Sequence, residues 1–116
     1  MLTSLVERVA GARGAVFCDH EGESVELVLR DPQLSEYDLK IAGAQLAAVW
    51  QSLKDSSSQS GIGAMQELQV SCASGSLICR SLPEGYYVVL LIGPGAPAAP
   101  AGFELRATAA EIAAAL

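Results

Sequence analysis

Apolar positions recur along this chain with two periods, near 3.6 and near 2, and the switches between them divide it into elements. The longest stretch at helical spacing is Asp38 to Lys54, DLKIAGAQLAAVWQSLK. At about 100° per residue, Leu39, Ala42, Gly43, Leu46, Val49, Trp50 and Leu53 share one broad face, suited to covering a core. The opposite side carries a narrow strip of Ile41, Ala44 and Ala48, edged by Gln45, Gln51 and Ser52. Only Lys40 and Lys54 bring positive charge to this helix, whereas a solvated face normally holds more. A helix that is apolar on two sides has two things to pack on. Its large side chains are expected to seal its own core, and its small ones to offer a close-approach surface to a second helix.

The remaining elements follow in order. Ser4 to Ala10 predicts a short helix with Leu2, Leu5, Val6 and Val9 on one side, a Ser4/Glu7 capping box and Gly11 at its end. Ala15 to Cys18 is apolar at consecutive positions, as in a strand covered on both faces. Asp19-His20-Glu21-Gly22 supplies turn chemistry, and Val25, Leu27 and Leu29 then alternate with polar residues as a flanking strand does. Asp31-Pro32 ends this hairpin, and Ser35 or Asp38 is placed to cap the long helix. That helix is expected to stop before Ser56, Ser57, Ser58, Gln59, Ser60, Gly61, Ile62 and Gly63, a polar loop.

Glu67 to Leu82 reads as a second hairpin turning at Ser74-Gly75. With Ala73 opposite Ser76, it puts Leu68, Val70, Cys72, Leu77, Cys79 and Ser81 on one face. Cys72 and Cys79 are then diagonal neighbours, not a bridged pair. Tyr86 to Ile92, YYVVLLI, predicts a central strand buried on both faces. GPGAPAAPAG is expected to be irregular, and Phe103 to Leu116 a helix with Leu105, Ala109, Ile112 and Leu116 on one side. The element order α-β-β-α-β-β-β-α predicts an α+β fold: a five-stranded antiparallel sheet in a three-layer αβα sandwich, the long helix on one face and both terminal helices on the other. Residues 1–116 are expected to form a single domain.

Composition sharpens this picture. Hydrophobic residues make up 51% and charged ones only 17%, below the roughly 25% charged that is usual, as expected where part of the surface is covered by a partner. The formal charge is −6, with seven Lys and Arg scattered along the chain; this disfavours nucleic acid and anionic membranes. No apolar run approaches the ~18 to 20 residues of a spanning helix, so the expected location is cytoplasmic without membrane insertion.

Candidate chemistry is sparse. Three cysteines and one histidine without a CxxC spacing argue against a zinc site or a disulfide framework. His20 lies in a turn with no nucleophile or further ligands around it, and the Ser/Gly stretch lacks the Lys of a phosphate-binding loop. No acid, base and nucleophile set suggests an enzyme, and no cofactor is expected.

The order of elements, the opening GARGAVFCDHEGESV with its Gly-Ala-x-Gly-Ala-hydrophobic entry and Asp-x-x-Gly turn, the Ala-rich middle helix, the hairpin, YYVVLLI and the Ala/Leu C-terminal helix together resemble the Roadblock family, the dynein light-chain type of small αβα domain. The likeness covers nearly the whole chain. It implies a homodimer or heterodimer made by packing middle helices together and joining third strands edge to edge. It also implies service to small Ras-like GTPases as an activator, exchange component or scaffold. The dimer part has separate support in the helix strip and in Glu67 to Ala73, which has no Pro or Lys to blunt a strand edge. The expected interface is thus Ile41, Ala44, Gln45, Ala48 and Ser52 on the helix with Gln69 and Ser71 on the third strand. A competing expectation is a small-molecule sensor of profilin or PAS-like architecture, which would need convergent polar groups inside its core.

Overall fold

The computed structural model describes residues 1–59 and 61–116, with side chains described for 1–54 and 61–116. Three helices, α1 (Leu2–Arg8), α2 (Glu36–Gln59) and α3 (Ala98–Ala115), and five strands, β1 (Ala12–Cys18), β2 (Ser24–Leu29), β3 (Glu67–Cys72), β4 (Gly75–Ser81) and β5 (Tyr87–Ile92), follow one another in the expected order. The strands form one antiparallel sheet in the order β2-β1-β5-β4-β3. The continuous apolar runs therefore occupy the interior of the sheet, β5 at its centre with β1 beside it, and β2 and β3 form the two edges.

The sheet is covered on both faces. On one, Leu2, Leu5 and Val6 of α1 and Ala101, Leu105, Ala109 and Ile112 of α3 close over Ala15, Ile78, Val88, Leu90 and Ile92. On the other, Leu39, Leu46, Ala47 and Trp50 of α2 pack with Val16, Cys18, Cys79, Tyr87 and Val89. Each fully buried Leu, Ile or Val side chain contributes about 1.5–3 kcal/mol.

Several local expectations are corrected. α1 begins at Leu2 with Met1 as its N-cap and without a side-chain cap bond, so Ser4 lies inside the helix rather than capping it. Burial of Leu2 and Leu5 sets the start of this helix. Its C-terminal end is tied down from elsewhere: the Arg30 guanidinium donates to the carbonyls of Val6 at 2.8 Å and Val9 at 3.3 Å. The capping box occurs instead at α2, where Asp38 N–H donates to Ser35 Oγ at 3.0 Å and Ser35 N–H to the Asp38 carboxylate at 3.2 Å.

α2 continues through Ser56, Ser57, Ser58 and Gln59, which were expected in a loop; Ser60 lies outside the described residues. Serine costs only a few tenths of a kcal/mol in a helix that is already propagating. The second hairpin turns at Ala73-Ser74, with Cys72 opposite Gly75, Val70 opposite Leu77 and Leu68 opposite Cys79. That register is two residues from the expected one, so the same side chains share a face with different partners. Cys72 and Cys79 are thereby further apart along the ladder, and all three cysteines are free. α3 starts at Ala98, inside the stretch expected to be irregular. Pro100 is accommodated there because first-turn N–H groups have no partner within the helix. Leu116, expected on the buried side of α3, is 50% exposed because it follows the last helical residue.

Candidate interaction surface

The long helix sits asymmetrically on its sheet. Its closest strand neighbours are β1 and β2, and two glycines make that approach possible. A Cβ on Gly43 would stand 2.8 Å from Cys18 Sγ, and one on Gly22 would stand 2.9 Å from Ala47 Cβ and 3.0 Å from Ala44 Cα. Gly22 closes the turn between β1 and β2 at φ +83°, a conformation that favours glycine. Asp19 holds that turn by accepting the N–H of Glu21 at 2.9 Å and of Glu23 at 3.1 Å on Oδ1. The Asp-x-x-Gly segment is thus the seat of the β2-side flank of α2.

This placement decides which helix residues remain outside. Ala47, unassigned in the sequence reading, is buried, while Val49 and Leu53, expected in the core, are 43% and 40% exposed. They lie about 140–180° around the helix from Ala44, on the flank facing away from the β2 edge. On the same face of the sheet, Leu68 and Val70 of β3, Leu77 of β4 and Leu91 of β5 are only half-buried. The helix leaves that half of its sheet uncovered, and this is the physical reason for the correction.

The expected interface residues take positions consistent with a surface role. Ile41, Ala44, Gln45, Ala48 and Ser52 are all exposed on α2, and Gln69 and Ser71 are exposed on the edge strand β3. Ile41, at 39%, lies near Tyr37, at 71%. From Ile41 through Leu53 the sequence contains no charged residue. An exposed helix face without charge, next to a half-covered apolar sheet surface, is larger than the single scattered apolar residues that need no explanation. The signal missed in the sequence was Leu68, Val70 and Leu77, read as core because their alternation matched an inner face.

Gln51 does not stay on the strip. Its side-chain amide donates to the Tyr87 hydroxyl at 2.8 Å, beside the tilted Trp50–Tyr87 ring pair at 5.6 Å. Burial raises the Tyr87 pKa, and the Gln51 bond opposes this. A cleft of about 420 Å³ opens here between α2 and the β4–β5 connection. Trp50 itself is core, 3% exposed.

Two of the three thiols, Cys18 and Cys79, are buried. Desolvation, with a smaller push from the Asp19 charge, takes Cys18 up to about 11; desolvation and its neighbour Cys18 take Cys79 to about 12. His20 is exposed, with Nε2 3.7 Å from the Glu21 carboxylate. Among the described residues there is no group of three His, Cys, Asp or Glu placed to hold a metal ion, and no helix is long and apolar enough to cross a membrane.

No family model and no curated protein matches the sequence. Solved structures do match. The chain is similar to a Roadblock/LC7 domain from Streptomyces avermitilis, with a TM-score of 0.82 at 20% identity over 96% of this chain and 90% of that one. It is similar to the gliding protein MglB from Thermus thermophilus, with a TM-score of 0.86 at 17% identity over 97% and 83%. MglC from Myxococcus xanthus aligns with a TM-score of 0.68 at 25% identity over 99% and 95%. The fold of this chain is therefore that of the Roadblock/LC7 domain.

Proposed function

We propose that the chain is a non-enzymatic, dimeric adaptor that binds a small Ras-like GTPase or another Roadblock-type protein and alters its nucleotide state or its location. The observation that carries this reading is the uncharged, exposed face of α2 lying on the same side as the half-covered strands β3 and β4. Two such surfaces brought together by a twofold axis bury each other's apolar area, and the β3 edges supply a backbone ladder between chains. Within this reading the interface comprises Ile41, Ala44, Gln45, Ala48 and Ser52, together with Gln69 and Ser71. Val49, Leu53, Leu68, Val70 and Leu77 complete it. One of the similar structures is described as MglB with a tetrameric arrangement, which supports self-association as a property compatible with this fold.

The regulatory half of the proposal rests on the family likeness. Positioning rather than chemistry is its expected mode, because no side-chain set among the described residues suits general acid, base or nucleophile work. Affinity capture of the tagged protein from its own host, followed by nucleotide exchange and hydrolysis assays, tests it. Recovery of a GTPase whose exchange or hydrolysis rate changes with the added protein is the expected result. Recovery of the chain alone with a stoichiometric small molecule in the Trp50–Tyr87 cleft would contradict it and favour the sensor reading.

A further inference from the structure

The second edge of the sheet, β2, has features that neither the fold nor the dimer reading requires. Arg30 N–H donates to the Arg13 carbonyl at 2.9 Å, and the ladder between β1 and β2 is regular from Gly14–Leu29 to Phe17–Glu26. In an antiparallel pair the backbone groups alternate in direction. The even positions Glu26, Val28 and Arg30 therefore turn their N–H and C=O groups to β1, and Leu27 and Leu29 turn theirs to the open edge. Edge strands are commonly blunted by Pro or Lys, and Ser24–Leu29, SVELVL, has neither. The only irregularity is at one end, where Val25, 59% exposed, has no partner across the ladder.

Each face of this edge has its own depression. On the α2 side one is lined by Glu23, Ser24, Tyr37, Ile41 and Ala44, with Lys40 at its rim. On the α1 and α3 side one is lined by Leu2, Phe17, Ile112 and Leu116, with Glu26 at its rim. A strand laid along β2 projects successive side chains to opposite faces, so it meets both depressions at once. Charge fixes the kind of strand. Glu21, Glu23 and Glu26 are exposed in and beside this edge, whose nearby cations are Lys40 and, at the far end of the strand, Arg30, held to the α1 carbonyls.

We infer that β2 is a docking edge for an extended, basic and apolar peptide segment of a partner protein, taken up by strand addition. The segment exchanges backbone hydrogen bonds with Leu27 and Leu29, places apolar side chains against Tyr37, Ile41 and Ala44 on one face, and presents lysine or arginine to Glu26 on the other. Because β2 and β3 are opposite edges of one sheet, the backbone ladder of the docked strand is separate from that of the proposed dimer, and the two surfaces meet at Ile41 and Ala44.

The probe is the acetylated, amidated heptapeptide Lys-Val-Lys-Val-Lys-Val-Lys, with a Glu-Val version and a version N-methylated on alternate amides as controls. Binding is followed by fluorescence anisotropy and by hydrogen exchange of the full chain. The expected result is binding of the Lys-Val peptide alone, with slowed exchange at the Leu27 and Leu29 amides. At least tenfold weakening is expected in Glu26→Lys, whose folded state is checked by its amide spectrum. Survival of binding after N-methylation would reduce the contact to charge attraction and overturn the proposal. So would protection at β3 in place of β2, or no binding at all.

Discussion

Gly43 of α2 and Cys18 of β1 fit against each other so closely that a methyl group on Gly43 would stand 2.8 Å from the Cys18 sulfur. This contact fixes how near the helix comes to the sheet. Overpacking of this kind costs about 1–3 kcal/mol, and replacing a helical glycine by alanine returns up to about 1 kcal/mol. Gly43→Ala is expected to lose about 1 kcal/mol net in urea unfolding. In a Cys18→Ala background the same change should be neutral or stabilising, since neighbours sharing one space do not add. Equal effects in both backgrounds would remove the close approach as the reason for the glycine.

The three thiols should separate by reactivity. Cys72 is exposed, whereas Cys18 and Cys79 are buried with their pKa values raised to about 11 and about 12. A thiol reagent at pH 8 is expected to modify one cysteine quickly in the native protein and the other two only on unfolding. The shift also has a stability consequence. Between the unfolded value near 9 and the folded values, the unfolded chain has released these protons and the native chain has kept them. Stability therefore falls as pH rises above about 9. Cys18→Ala/Cys79→Ala should flatten that alkaline decline in a pH series of melting curves.

At the acid end, Asp31 works in the opposite sense. Its pKa is lowered first by the N–H of Gln33 and then by Arg13, whose Nε donates at 2.7 Å. A depressed folded pKa gives stability that is present above the unfolded value and lost as pH falls through the folded one. Asp31→Asn should therefore show a shallower acid decline than the parent chain, read from denaturation midpoints between pH 5 and pH 2.

Arg30 substitutes for a helix cap. Removing its bonds to the Val6 and Val9 carbonyls by Arg30→Met should cost about 1–2 kcal/mol and raise hydrogen exchange in α1 more than in α3. Uniform loosening of all three helices would show that the residue acts through general charge instead.

The layers of the fold were legible because burial writes itself as period. Tyr87 to Ile92 is apolar at every position and lies at the sheet centre, and Leu39, Leu46 and Trp50 repeat at helical spacing and are buried. What the sequence did not show was lateral position. Periodicity places Val49 and Leu53 on the core side of α2, but only the contact of Gly22 and Gly43 with their neighbours reveals that the helix lies toward β2 and leaves them exposed. The hairpin register failed for a similar reason: Ala73-Ser74 and Ser74-Gly75 both make acceptable turns, and a slip of two residues leaves every side chain on the same face. The α1 cap was misplaced because Ser4-x-x-Glu7 satisfies the local rule, while burial of Leu2 decides where the helix begins. On the candidate surface, the exposed strip of Ile41, Ala44 and Ala48 could be read directly from missing charge. The half-buried state of Leu68, Val70 and Leu77 could not, since a half-covered strand and a core strand alternate alike.

The proposed joining of two chains through the α2 face and the β3 edge is read by light scattering on a size-exclusion column. A particle of about twice the 12.0 kDa chain mass is expected at micromolar concentration. Ala44→Lys/Ala48→Glu, and separately Leu53→Lys, are expected to give folded monomers with the parent circular dichroism spectrum. A parent chain that stays monomeric, or a double variant that stays dimeric, would contradict the dimer reading.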